Sequence, residues 1–343
     1  MVVHRPNDRP TLEDVAARAG VSRATASRVL NGSPKVSPAA LESVNSAVLE
    51  LGYQPNQAAR TLVTRRTGAV AVLISEPQPK IFNDPHFAGL VKYSAMALGA
   101  RDSQMVLVLV HTPEDQLRAQ RFLAGGHVDG ALLFTPHQDD PLPLSVRKLP
   151  LPIVFGGRPW GSLRGLHTVD NDNENGAAMA TRYLMERGCR QVVSVTGPTD
   201  ELAATDRLAG FRAATGAASD SQLAQITECG FFSREGGERA MTALLARVPD
   251  LDGVFAANDL MAAGAMTALR AAGKRVPQDV AVVGFDDDES VAPHTDPPLT
   301  SVRQDIGRQV QSMVDRLFAL IRGEEPRQRH QLLPVELVHR HSA

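Results

Sequence analysis

Four residues near the N-terminus, Arg23, Ala24, Ser27 and Arg28, share one side of a short helical pattern, with Ala26, Val29 and Leu30 on the other. Arg28 carries a guanidinium fork that can donate bidentately to guanine O6 and N7 in a major groove, a contact worth about 1–3 kcal/mol of discrimination. Arg23 can do the same or remain a solvated charge, and Ala24 offers only a methyl group, suited to thymine. Ser22, Thr25, Ser27 and Asn31 carry short polar groups that hold phosphates or cap helices, which fixes register without reading sequence. The chemistry on offer is recognition of a nucleic-acid duplex, with no bond made or broken.

Presenting that face requires two short helices held at an angle. Leu12, Val15, Ala16 and Ala19 recur at i, i+3, i+4 and i+7, which predicts a first amphipathic helix. Thr11 with Asp14 has the spacing of a capping box, and Gly20 supplies the break. Ser22 can cap the second helix, completing a helix-turn-helix. Such patterns are common in all-α domains, and the downstream sequence raises the specificity of this one. Ser37-Pro38 opens a third helix with an apolar stripe of Leu41, Val44, Val48 and Leu51, and Gly52 closes it. In the next segment, 53–62, Asn56 can cap a helix of about two turns. A helix this short is marginal alone in water, so a second copy and a DNA duplex are its natural partners.

Residues 11–62 resemble the DNA-binding headpiece of the lactose repressor (LacI) family, three helices followed by a hinge helix ending in Leu62. The resemblance continues in Ala257-Asn258-Asp259, Val283-Gly284-Phe285-Asp286-Asp287, Pro298-Leu299-Thr300-Ser301-Val302 and Leu333-Pro334-Val335-Glu336-Leu337, and so covers nearly the whole chain. It implies a small all-α helix-turn-helix headpiece over 1–54 and a hinge helix and linker over 55–66. An α/β two-lobe domain of the periplasmic-binding-protein type, with doubly wound parallel sheets, then occupies 67–343, for effector binding and dimerisation. DNA contacts are expected from Arg23, Ala24, Thr25, Ser27, Arg28, Asn31, Asn56, Ala59 and Leu62. Ala58 and Ala59 let two hinge helices approach closely, and Leu62 is the wedge that opens a central base step from the minor groove.

The matching effector positions are His86, Phe87, Arg207, Phe232, Asn258 and Asp286. Their types suit a sugar, since Arg, Asn and Asp can pair with vicinal hydroxyls while Phe232 stacks on a C–H face. Asn258 can equally cap the helix after it, Phe87 can be core, and Asp286 can solvate a loop. Where several relatives carry Asp after the fourth strand, this chain has Phe155-Gly156-Gly157-Arg158, so a carboxylate able to grip a hydroxyl is absent there and Arg158 or Trp160 reshapes that wall. The implied function is a sequence-specific repressor of carbohydrate-utilisation genes, a homodimer on a pseudo-palindromic operator, relieved by a small sugar between the lobes. A corepressor-dependent regulator, answering to a nucleobase or a protein partner, is the alternative; a plain sugar-binding receptor fits least.

Composition agrees. At 343 residues the chain exceeds one ordinary domain, and only 4% aromatic content means a core of Ala, Val and Leu. Residues 1–66 hold nine Lys and Arg against five Asp and Glu, while the remainder is acidic, an asymmetry suited to phosphate contact by one end. Binding through such contacts should weaken steeply with salt. Buried runs at 69–74, 105–110, 130–134 and 153–155, then at 192–196, 253–257 and 280–285, alternate with helical patterns at 176–187, 202–216, 233–247 and 260–272, as expected of parallel sheets with helical crossovers. The resemblance places three strand crossings near 155–158, 287–293 and 298–302.

Two cysteines without metal spacing suggest a reducing compartment, and neither a membrane span nor a signal segment is apparent; a cytoplasmic location follows. No phosphate loop, nucleophile elbow or metal spacing points to an enzyme, a cofactor or a metal. Too little sequence follows Arg340 for a heptad segment, which favours a dimer over a tetramer. Replacing Leu62 by Ala should weaken specific operator binding far more than nonspecific binding, as read by gel shift on operator and scrambled duplexes; an equal loss on both would remove the wedge.

Overall fold

The computed structural model describes residues 10–30, 35–54, 66–134 and 137–343, which fall into two units, Met1–Thr67 and Gly68–Ala343. In the first, α1 (Leu12–Ala19), α2 (Arg23–Leu30) and α3 (Pro38–Leu51) enclose a core of Val15, Ala16, Ala26, Val29, Val44 and Ala47. Leu41, expected on the buried stripe of α3, is 45% exposed; Ala47 occupies the buried side with Val44. Gly20 and Gly52 end α1 and α3 in the left-handed region at φ 67° and 61°, where a residue without Cβ is the easy choice.

The second unit holds two six-stranded sheets. Mostly aliphatic runs such as β1 and β3 form strands buried on both faces, as parallel sheets sandwiched between helices require. One sheet is built from β1 (Ala69–Ile74), β2 (Gln104–Leu109), β3 (Gly130–Phe134), β4 (Ile153–Gly156) and β5 (His167–Asn171), with β11 (His330–Leu333) at its far edge, in the order β11-β5-β4-β3-β1-β2. The other contains β6 (Val192–Thr196), β7 (Thr227–Cys229), β8 (Gly253–Ala256), β9 (Ala281–Asp286), β10 (Thr300–Arg303) and β12 (Glu336–Val338), in the order β12-β10-β9-β8-β6-β7. All pairings are parallel except β10 with β12. The strand expected to be buried at 105–110 is instead the edge strand β2, shifted by one residue and half-exposed along its length, because only β1 pairs with it.

The helices that matter for the cleft are α4 (Gln78–Asn83) and α5 (Pro85–Gly99) on the first lobe, and α8 (Asn173–Glu186) and α9 (Leu202–Thr215) on the second. On the way to α8, α6 (Pro113–Ala124) and α7 (Leu142–Val146) complete the first lobe. Further on, α10 (Asp220–Ile226), α11 (Arg234–Arg247) and α12 (Asp259–Ala271) complete the second. The last helix, α13 (Ile306–Ile321), returns to the first lobe and buries Val310, Met313, Val314 and Leu317 beside Leu132 and Val154.

Two of the three crossings differ from those expected, while the one near 298–302 leads into the crossing that follows β10. Residues 155–158 stay in the first lobe, where Gly157 N–H donates to Val169 O, and Val291 and Ala292 are buried within the second. The chain passes between lobes from β5 to α8, from β10 to α13 and from β11 to β12. Each switch falls where a strand ends at the cleft and its next partner lies in the other sheet.

The second lobe depends on close helix packing. A methyl carbon at Gly264 of α12 would lie far inside contact distance of the Arg234 carbonyl oxygen at the start of α11, and one at Gly237 would meet Met261 backbone. Gly264→Ala should therefore cost roughly 1–3 kcal/mol by thermal unfolding, as overpacking does, whereas Gly99→Ala, with open space around it, should be near neutral. Equal melting of the two variants would refute the close approach.

Candidate functional site

On the first unit, the Thr11 capping box is in place: Asp14 N donates to Thr11 Oγ1 at 3.3 Å and Thr11 N to Asp14 Oδ2 at 2.8 Å. Ser22 Oγ accepts from Thr25 N at 3.1 Å and caps α2. Arg23, Ala24 and Arg28 are exposed, with Thr25 and Ser27 half-buried beside them. The expected reading face therefore lies on the surface of α2. Arg23 Nε pairs with Glu13 Oε1 at 2.6 Å across the turn; an exposed pair of this kind is worth at most about 1 kcal/mol, so a duplex can recruit the guanidinium. Thr25 Oγ1 stands 2.9 Å from Ser22 Oγ, a local contact at the helix start. Asn31, Asn56, Ala58, Ala59 and Leu62 lie outside the described residues.

In the second unit a cavity of about 90 Å³ opens between the lobes at the carboxyl ends of both sheets, where open α/β sheets bind ligands. Its wall carries His86, Arg158, Asp170, Asn173, Glu201, Arg207, Gln304 and Gln309, with Leu90, Phe134 and Leu202 as apolar patches. Arg207, on α9, is 5% exposed. Its Nε donates to Asn173 Oδ1 at 2.9 Å, its Nη1 to Ala257 O at 2.5 Å and to Asp286 Oδ1 at 3.3 Å, and its guanidinium lies 3.8 Å from the centre of the Phe285 ring. Asp286 ends β9 at φ 102°, an unusual backbone for a residue with a Cβ, and accepts from Gln304 Nε2 at 2.6 Å. Burial pushes the Asp286 carboxyl up to about 7; Arg207 opposes this and Asp84 adds to it.

His86, at the start of α5, is pushed down to about 4 by burial, with Arg207 and Lys80 adding to the effect. Its ring is therefore neutral at pH 7, and its buried Nδ1 has no hydrogen-bond partner among the described residues, which leaves a polar group free to meet a ligand beside the cavity. Of the expected effector residues only His86 and Arg207 line the cavity; Asp286 stands behind Arg207 and Gln304, and the others are further back. Phe87 is 2% exposed in the core of the first lobe, edge-on to His86. Asn258 caps α12, accepting from Met261 N at 2.9 Å, and its Nδ2 donates to Phe232 O. Phe232 is buried in the second lobe, with Lys80 and Arg207 5.6 and 5.9 Å from its ring centre.

The sequence pattern left the wall after β4 without a carboxylate, and the structure supplies carboxylates from elsewhere. Asp170, on β5, accepts from Arg158 Nε at 3.0 Å; Arg158 also pairs with Asp206 of α9, joining the lobes. Trp160 lies beyond the cavity, its Nε1 donating to Asp200 O at 2.8 Å. Asn171 Nδ2 donates to Gln304 Oε1 at 2.9 Å and Gln309 Oε1 at 3.2 Å, tying two crossings together. Asp170, Asn173, Glu201, Gln304 and Gln309 were not anticipated. The run Asp170-Asn171-Asp172-Asn173 was the available signal, since polar residues at the end of a buried strand mark a ligand edge.

A two-lobed small-molecule module joined to a helix-turn-helix defines a ligand-responsive DNA-binding transcriptional regulator. Residues 11–56 match the family model of bacterial regulatory proteins, lacI family, and 181–343 that of the periplasmic binding protein-like domain. The chain is 48% identical over 317 residues to the HTH-type transcriptional regulator CelR of Thermobifida fusca, covering 92% of this chain and 93% of that protein. A solved CelR–cellobiose complex aligns at 44% identity and TM-score 0.76 over 98% of this chain and 100% of that one. The Lac repressor dimer bound to operator and an anti-inducer aligns at 29% identity and TM-score 0.83, over 98% of this chain and 99% of that one. The chain belongs to the LacI family of bacterial transcriptional regulators. No described helix is long and apolar enough to cross a membrane.

Like charges face each other across the cleft. Burial pushes Asp84, the N-cap of α5, up to about 6 against the opposing effects of the His86 N–H and Lys80, with Asp288 and Glu76 adding to the rise. A carboxyl raised in the folded state contributes stability that is complete below its ordinary value of 3.8 and lost as pH rises through about 6. Asp84→Asn keeps the cap and removes this loss, so the variant should gain on the order of 1–2 kcal/mol over the parent above that pH. Thermal unfolding across pH measures it; a constant difference at every pH would refute the assignment.

Proposed function

We propose that the protein is a cytoplasmic, non-catalytic repressor that holds a pseudo-palindromic operator as a homodimer and releases it when cellobiose, or a similar β-linked glucose disaccharide, fills the cleft. The observation that carries this is the cavity wall. Carboxylates, amides, guanidinium groups and a neutral imidazole converge there with small apolar patches, the mixed donors and acceptors that ring hydroxyls and a C–H face require. The near identity in length to CelR and the CelR–cellobiose complex support the same reading. Phe87 and Phe232, the aromatic residues matched to the family's effector positions, are packed into the lobe cores, so the apolar contacts of the sugar fall to Leu90, Phe134 and Leu202.

In this reading Arg207 and Asp286 hold hydroxyls from the second lobe, while His86 and Asp170 do so from the first. Arg23, Ala24 and Arg28 read bases, Thr25 and Ser27 hold phosphates, and Asn31, Asn56, Ala59 and Leu62 complete the contact. Fluorescence anisotropy with a labelled operator tests it. Cellobiose should lower operator affinity by about 5–150-fold, the usual range of allosteric coupling, and Arg207→Ala should bind operator but ignore cellobiose. Tighter operator binding with guanine or hypoxanthine, and none of this response to cellobiose, would establish the corepressor reading instead.

A further inference from the structure

Beyond the cavity, the mouth of the cleft is fastened by a charged seam. Glu76, just past β1, is 2% exposed and accepts from Lys80 Nζ at 2.6 Å; its second oxygen stands 3.5 Å from His137 Nε2. Both cations then reach across to the second lobe. Lys80 Nζ donates to Glu201 Oε1 at 2.8 Å, and His137 Nδ1 lies 2.8 Å from Asp200 Oδ2. The Asp200 carbonyl also accepts from Gln138 N at 2.9 Å and Trp160 Nε1 at 2.8 Å. Ligating atoms of Glu76, His137 and Glu201 lie within 4.8 Å of one another, but the Lys80 ammonium is bonded to both glutamates, so the chain supplies its own cation there.

The signs are segregated by lobe. Cations anchored on buried Glu76 belong to the first lobe, and the free carboxylates they meet belong to the second. Separating the lobes strips His137 and Lys80 of their outer partners and leaves two donors at Asp200 O to find water. Neither His137 nor Asp200 lines the cavity.

We propose that His137 and Asp200 are positioning residues for the ligand response: they latch the lobes in the closed arrangement and so set effector affinity without touching the effector. The inference rests on the cleft being the effector site. The charged groups facing His137 are Glu76, Asp200, Glu201 and Lys80. The Glu76 contact, with Asp200 and Glu201 adding, holds the imidazolium to about 9 against burial. Because that value is raised, the latch is complete below the ordinary imidazole value of 6.5 and is lost as pH rises through about 9.

Trp160 is the chain's single tryptophan and sits on the seam, so its emission reports the latch in the full-length, ligand-free protein. The parent should shift to longer wavelength as pH passes about 9, whereas His137→Ala should already be shifted at neutral pH and show no such step. Asp200→Ala, which keeps the carbonyl bonded to Trp160, should lose the step as well. Both variants should bind cellobiose about tenfold more weakly with unchanged preference over lactose, because only the population of the closed form has changed. Parent-like emission and pH profile in His137→Ala overturns the latch. If the unaltered protein fails to bind cellobiose, the effector assignment falls and the fluorescence decides the latch by itself.

Discussion

A guanidinium ion that is almost wholly removed from water must be surrounded by acceptors, and Arg207 organises the second lobe around that requirement. Asn173 comes from the start of α8, Ala257 from the end of β8, Asp286 and Phe285 from the end of β9. Three separate chain segments are thus fixed to one side chain at the level where the sheet ends. The cation also opposes the burial that raises the Asp286 carboxyl. The pair can in turn meet a hydroxyl with a donor and an acceptor already oriented, which lowers the ordering cost of binding.

The DNA-reading unit is built on the opposite principle. Its core is six small and β-branched residues, its helices run eight, eight and fourteen residues, and caps carry much of the local order. Thr11, Ser22 and Ser37 each accept a backbone N–H at a helix start. Such a unit can present a rigid α2 while contributing little stability of its own.

Much of this was legible in the sequence. Caps are local, so Thr11, Gly20, Ser22, Ser37 and Gly52 announced the three described helices of the first unit, and short β-branched or apolar runs announced β1, β3 and β6 to the residue. What escaped was set by long-range pairing. Nothing local distinguishes β2 as an edge strand, and α13 returns to the first lobe for reasons held in Leu132 and Val154, far away in the chain. The site divides similarly. Motifs singled out Arg207, which lines the cavity, and Asp286, which pairs with it, whereas Asp170, Glu201 and Gln304 converge only because strands from separate segments end at one cleft. Phe87 shows the limit of motif transfer: its position matches, yet its ring serves the core.

The three crossings carry a consequence for how such a receptor can change its ligand. Asn173 stands just past one crossing and Gln304 at another, and both face the cavity, while Asn171 binds Gln304 and Gln309 across the gap. The pivot and the palate are the same residues. An exchange at these amides would alter the joint together with the cavity wall, whereas wall residues that lie off the pivot, such as His86 and Leu202, can change without touching the joint. Divergence in what is sensed and constancy in how it is transmitted can then coexist in one fold, because they are written at different distances from the hinge.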